Sequence, residues 1–125
     1  MECSGVLIIE DEQEIRDTLR ELFEFEGYKV LTAENGAEGL RMLQEIRRPC
    51  IILLDILMPV MNGWEFLEAR QRKQELASIP VAILSGIAEK PDSIPGVTFF
   101  FRKPVNFERL LKLVDEQREA QAGER

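Results

Sequence analysis

The strongest constraint in this sequence is an alternation of two patterns. Short runs rich in aliphatic, β-branched and aromatic residues recur at 6–9, 28–32, 51–54, 81–84 and 97–101. Such near-continuous runs suit strands buried on both faces, as in a parallel sheet. Most segments between them carry helical period. Ile15, Leu19, Leu22 and Phe23 share one face, with Asp17, Arg20, Glu21 and Glu24 elsewhere. Gly27 follows as a C-terminal stop. Ala37, Leu40, Leu43 and Ile46 form a second stripe behind Asn35, a capping residue type. Residues 64–76 read as a weaker third helix, because Arg70 stands where a core-facing residue is expected. Phe107, Leu110, Leu111 and Val114 form a last stripe behind Asn106. Residues 120–125 have no apolar face and are expected to fray. Segment 87–96 breaks the rhythm, since Pro91, Pro95 and Gly96 leave room for only a turn or two of helix.

Strands alternating with helices predict an α/β fold, a parallel sheet covered on both faces through right-handed crossovers. Five strands favour the flavodoxin-like doubly wound order 2-1-3-4-5, with a shortened or irregular fourth helix at 87–96 and the switch point between strands 1 and 3. The 125 residues are expected to form one domain, with its core over about 5–119.

Composition narrows the chemistry. Lys plus Arg number 16 and Asp plus Glu 23, a net charge of −7, which argues against direct nucleic-acid binding. Histidine is absent, which removes Ser-His-Asp and Cys-His catalysis and any phosphohistidine within this sequence. Cys3 and Cys50 do not form a CxxC and are expected to be free thiols in a reducing cytosol. No apolar run is long enough to span a bilayer and no signal-peptide pattern opens the sequence, so the expected location is cytoplasmic, away from membranes.

In this fold class, ligands sit beyond the carboxyl ends of the strands at the switch point. Strand 1 ends in Glu10-Asp11, strand 3 in Asp55, strand 4 in Ser85 and strand 5 in Arg102-Lys103. Three carboxylates crowded together repel one another unless a cation neutralises them. An oxygen-only site suits Mg²⁺. A carboxylate beside Mg²⁺ can attack a phosphoryl group, and Lys103 and Ser85 can then hold phosphoryl oxygens. Each residue also has an ordinary role. Glu10 and Asp11 suit a helix N-terminus, and Asp11 with Glu14 fits a capping box. Asp55 suits a turn cap, Ser85-Gly86 a turn, and Lys103 the surface. It is their convergence on four strand ends that favours a site.

These residues resemble the receiver domain of two-component response regulators. The similarity runs from about Gly5 to Glu119, through Ile9-Glu10-Asp11-Glu12, the block 53–63 around Asp55, Ile79-Pro80-Val81 with Ser85-Gly86, and Lys103-Pro104. The resemblance implies a phosphorylation switch rather than an enzyme. Asp55 would be the phosphoacceptor. Mg²⁺ would be held by Glu10, Asp11, Asp55 and the backbone carbonyl of Leu57. Ser85 and Lys103 would bind the phosphoryl group, and Phe100 would turn inward with Ser85. The Lys103-Pro104 bond would be cis. The donor would be a sensor histidine kinase or a histidine phosphotransfer protein, and the output a contact with a downstream protein. Glu10 stands where an aspartate is commoner. Apolar Leu57 and Ile87 would hinder an attacking water and lengthen the phosphorylated state.

Two other readings are open to the sequence. A phosphatase with an aspartate nucleophile would need a second Asp at position 57, where Leu stands. A receiver-like interaction module that takes no phosphate would not need the full acid, hydroxyl and lysine set.

Overall fold

A computed structural model describes residues 3–86 and 98–122. The chain order is β1 (Val6–Ile9), α1 (Gln13–Phe25), β2 (Val30–Ala33), α2 (Gly36–Glu45), β3 (Ile51–Asp55), α3 (Gly63–Gln71), α4 (Gln74–Ala77), β4 (Val81–Ser85), β5 (Thr98–Arg102) and α5 (Phe107–Ala122). All strand pairs are parallel, and the sheet order is β2-β1-β3-β4-β5. This is the doubly wound order expected from the alternation of runs.

Alternation along each strand divides the core between the two faces of the sheet. Leu7, Ile9, Ile52 and Leu54 pack on one face with Leu43 of α2, Phe66 and Leu67 of α3 and Leu76 of α4. Val6, Ile8, Ile51 and Leu53 pack on the other with Phe23 of α1 and Leu110 and Val114 of α5. In β5, Phe100 lies against the first cluster, while Phe99 and Phe101 lie against the second. Sequence pattern did not separate these three rings; the strand's pleat does.

The helix boundaries follow local chemistry. The Asn35 side chain accepts from the Glu38 amide at 2.9 Å, and the Asn106 side chain from the Arg109 amide at 3.1 Å. Gly27 adopts φ +90° just past α1, a region that glycine enters freely. No side chain caps α1, whose N-cap residue is Glu12, so the Asp11–Glu14 capping box does not form.

Four expectations are corrected or lie outside these residues. The single helix over 64–76 is two pieces, α3 and the one-turn α4. Arg70 turns inward, and its Nη2 donates to the carbonyls of Ala77 at 2.8 Å and Ile79 at 2.7 Å, which fastens the break. The tail does not fray at 120–122: α5 continues to Ala122, because buried Gln121 donates to the Cys50 carbonyl at 2.7 Å. The cysteines are not free thiols; Cys3 and Cys50 form a disulfide across 47 residues with Cα atoms 4.8 Å apart. The sheet order accounts for this, since β1 and β3 are neighbours and their leading ends lie side by side. The shortened fourth helix and Ile87 fall in segment 87–97, outside the described residues.

Candidate functional site

The sheet brings the ends of β1, β3 and β4 and the residue after β5 to one rim. Asp55 is the last residue of β3, with 6% of its surface exposed. Glu10 follows β1 and is 2% exposed, while Asp11 beside it is exposed. One carboxylate oxygen from each of Glu10, Asp11 and Asp55 lies within 4.8 Å of the other two. Lys103 reaches in from β5, its Nζ 3.1 Å from Glu10 Oε1 and 3.4 Å from Asp55 Oδ1.

Backbone donors steady the acids. Asp55 Oδ1 accepts from the Ile56 amide at 2.9 Å, and Glu10 Oε2 from the Glu12 amide at 3.1 Å. Arg16 was not singled out from sequence. Its Nη1 donates to the carbonyls of Glu10 at 2.8 Å and Asp11 at 3.4 Å, tying the acidic turn to α1. The available signal was an arginine one helical turn into α1 from an acidic pair. Gly63 was read only as part of a loop. A Cβ there would lie 2.7 Å from the Asp55 carbonyl oxygen and 2.8 Å from Ile56 Cα, so only glycine lets α3 start so close to the strand end.

The electrostatics follow burial. Removal from water raises Glu10 to about 7, with the nearby Asp55 charge adding to it and the Glu12 amide and Lys103 opposing it. Burial likewise pushes Asp55 above the usual carboxylate range, against the pull of Lys103. Burial of Lys103 works against its charge, but Glu10 and Asp55 together outweigh it and hold the ammonium above its ordinary value. One ammonium thus serves two buried carboxylates with a third acid at their edge. A further cation would relieve that excess, and an all-oxygen donor set fits Mg²⁺.

The other expected residues fall nearby. Ser85 ends β4 and is buried, and its carbonyl accepts from the Lys103 amide at 2.8 Å. The Leu57 side chain points away from the core, with 66% of its surface exposed. Phe100 pairs in register with Ile83, two residues before Ser85. The Lys103-Pro104 bond is cis. Among the described residues, no helix is long and apolar enough to cross a membrane.

Comparison with known proteins agrees with this geometry. Residues 6–115 match the family model described as the response regulator receiver domain. Protein PilH of Pseudomonas aeruginosa is 31% identical over 114 residues, covering 88% of this chain and 93% of that protein. The receiver domain of a signal transduction histidine kinase from Syntrophus aciditrophicus superposes with a TM-score of 0.82 at 28% identity, over 94% of this chain and 92% of that one. TrrA of Thermotoga maritima, solved in complex with Mg²⁺ and BeF, superposes with a TM-score of 0.78 at 26% identity, over 91% of this chain and 98% of that one. Fold, acid cluster and sequence match converge, and the chain belongs to the response regulator receiver domain family.

Proposed function

We propose that this chain is a phosphorylation-dependent signalling switch in the cytoplasm, with Asp55 as the phosphoacceptor. One observation carries the reading: the Glu10, Asp11 and Asp55 oxygens converge within 4.8 Å beside the Lys103 ammonium. Mg²⁺ would be held by these three carboxylates and the Leu57 carbonyl. When bound, the metal supplies positive charge for the phosphoryl oxygens.

A carboxylate oxygen of Asp55 forms the new O–P bond, and the N–P bond of a partner's phosphohistidine breaks. The imidazole leaves and takes a proton from solvent. The donor histidine comes from elsewhere, since this sequence contains none. A sensor histidine kinase or a histidine phosphotransfer protein supplies it. An apolar groove of about 650 Å³ between α1 and residues 103–107, lined by Ile15, Leu19, Leu22, Lys103, Val105 and Phe107 among others, gives such a donor a seat beside the site. Lys103 then exchanges a carboxylate partner for a phosphoryl oxygen, and the Ser85 hydroxyl donates to another. Movement of Ser85 and Phe100 carries the change to a downstream protein. The output is a protein contact rather than turnover, and nucleic acid is not touched directly.

The test is Mg²⁺ with acetyl phosphate or beryllofluoride, followed by Trp64 fluorescence and intact mass. Phosphorylation should add one phosphoryl mass, and beryllofluoride should shift the fluorescence, both only with Mg²⁺. Asp55→Asn should abolish both. A wild-type chain that gains no mass and shows no Mg²⁺-dependent change would defeat the reading and leave an unphosphorylated interaction module.

A further inference from the structure

We propose that Cys3–Cys50 is a reversible thiol–disulfide site, opened by small thiols attacking Cys3, that sets how firmly the far end of α5 is held. It rests on the preceding reading only for the compartment: among cytoplasmic thiols, disulfides that persist are rare and those that cycle are the usual kind.

The two sulfurs differ in access. Cys50 is 1% exposed. Cys3 is half-buried and lines an open cavity of about 350 Å³ with Arg118, Glu119 and Ala122. A small thiol can therefore reach only the Cys3 sulfur, and Cys50 is the leaving group.

The surrounding hydrogen bonds make the step reversible. The Ser4 amide donates to the Arg48 carbonyl at 2.7 Å, and the Cys50 amide to the Gly5 carbonyl at 2.7 Å. The Ser4 hydroxyl donates to the Arg47 carbonyl at 3.0 Å. These bonds flank the cross-link and do not need it, so the opened thiols stay near each other and reclose as an intramolecular reaction.

The same place is tied to two other elements. Gln121 Nε2 donates to the Cys50 carbonyl at 2.7 Å, and Arg48 Nε donates to Gln121 Oε1 at 3.2 Å. Arg48 Nη1 and Nη2 reach the Ser78 hydroxyl and carbonyl, each at 2.9 Å. Opening the cross-link leaves those backbone bonds in place but removes one restraint on residue 50, so its carbonyl, and with it the last turn of α5, is held less tightly. Asp55 lies at the opposite end of β3, five residues away, and is not reached.

The chemistry balances with a glutathione-class thiol as co-reactant. Its thiolate attacks Cys3 Sγ, the S–S bond breaks, and Cys50 leaves as a thiolate that takes a proton. A second thiolate attacks the small-molecule sulfur of the mixed disulfide. This releases Cys3 and forms the disulfide of the small thiol, so two electrons pass to the protein.

The full chain is equilibrated without denaturant in graded mixtures of reduced and oxidised glutathione, acid-quenched, alkylated and weighed. The expected result is a disulfide at the oxidising end, two alkylated thiols at the reducing end and full recovery on reversal. Peptide mapping should place any glutathione adduct on Cys3. Amide exchange at 119–122 should rise several-fold in the reduced chain, with 53–56 unchanged. Cys3→Ser, which leaves Cys50 buried, should reproduce that exchange pattern. If this variant does not fold, the wild-type measurement decides alone. A disulfide that opens only in denaturant, one that never forms, an adduct on Cys50, or unchanged exchange at 119–122 would each overturn the proposal. No phosphoryl donor is used, so failure here and failure of Asp55 labelling are separate results.

Discussion

At the scale of single residues, the site is an imbalance of charge held under the rim of the sheet. Glu10 and Asp55 are both buried, and both look to one ammonium. Burial holds Glu10 at about 7 in the folded chain, against an ordinary value of 4.5. Between those values the folded state binds more protons than the unfolded one. Metal-free stability should therefore fall as pH rises from about 4.5 to about 7, and Asp55, also raised, adds in the same direction. Thermal melts in chelator across this window should show the decline, and Glu10→Gln should flatten it. Mg²⁺ competes with those protons, so the rise in melting temperature on adding Mg²⁺ should be larger at pH 8 than at pH 5.5. Equal shifts at both pH values would mean that Glu10 does not share the metal. Glu10, Asp11, Asp55, Ser85 and Lys103 were legible because each follows or ends an apolar run. Arg16 was not, because its role is to hold backbone carbonyls, and sequence does not show which carbonyls a helix will face.

At the scale of elements, helix ends do much of the positioning. α3 starts with a reciprocal cap: Asn62 Oδ1 accepts from the Glu65 amide at 2.9 Å, and Glu65 Oε1 from the Asn62 amide at 3.0 Å. This fixes the loop that leaves Asp55. Asn62→Ala should cost about 1 kcal/mol, lowering the melting temperature by a few degrees and leaving the gain of one phosphoryl mass from acetyl phosphate unchanged. Gly63→Ala should do more damage, about 1–3 kcal/mol, because the added methyl meets the backbone of Asp55 and Ile56 as well as the Ile56 Cδ1 tip, and the backbone cannot give way cheaply. It should also weaken beryllofluoride binding, measured by Trp64 fluorescence, because the strand end carrying Asp55 must shift. The caps Asn35 and Asn106 were legible from position before an apolar stripe. Asn62 was hidden because Met58-Pro59 and Asn62-Gly63 together read as an undivided loop. The break after α3 was hidden for another reason. Arg70 looked like a flaw in an apolar face, yet it is fully buried, with Nη2 bonded to two carbonyls. Its Nε and Nη1 find no partner among the described residues, which carries a desolvation cost.

At the scale of the whole molecule, the sheet order joins distant parts of the chain. It sets β1 beside β3, which brings Cys3 to Cys50 across 47 residues. A loop of that length gives a cross-link contribution of about 4 kcal/mol in the chain-entropy picture. Reducing the disulfide should lower the urea midpoint at unchanged fold, and Cys3→Ser should show the lower midpoint with or without reductant. Equal midpoints for oxidised and reduced wild type would show that the hydrogen bonds around Ser4 and Cys50 already supply the restraint. Phe23 packs edge-on with Tyr28 and Phe107, with centroids at 5.9 and 5.0 Å, so α1, the lead into β2 and the start of α5 share one aromatic contact.

The sequence by itself determined the order of strands and helices, the doubly wound sheet and the identity of the acidic rim. These depend on local periodicity and on which residue ends each run, and both are written along the chain. Only the tertiary structure decided the pairing of Cys3 with Cys50, the inward turn of Arg70, the anchoring of Gln121 and the face taken by Phe100. Each depends on what the sheet places next to a residue across space. The cysteines show this most plainly: their spacing of 47 residues carries no motif, and only the neighbouring of β1 and β3 puts their Cα atoms 4.8 Å apart.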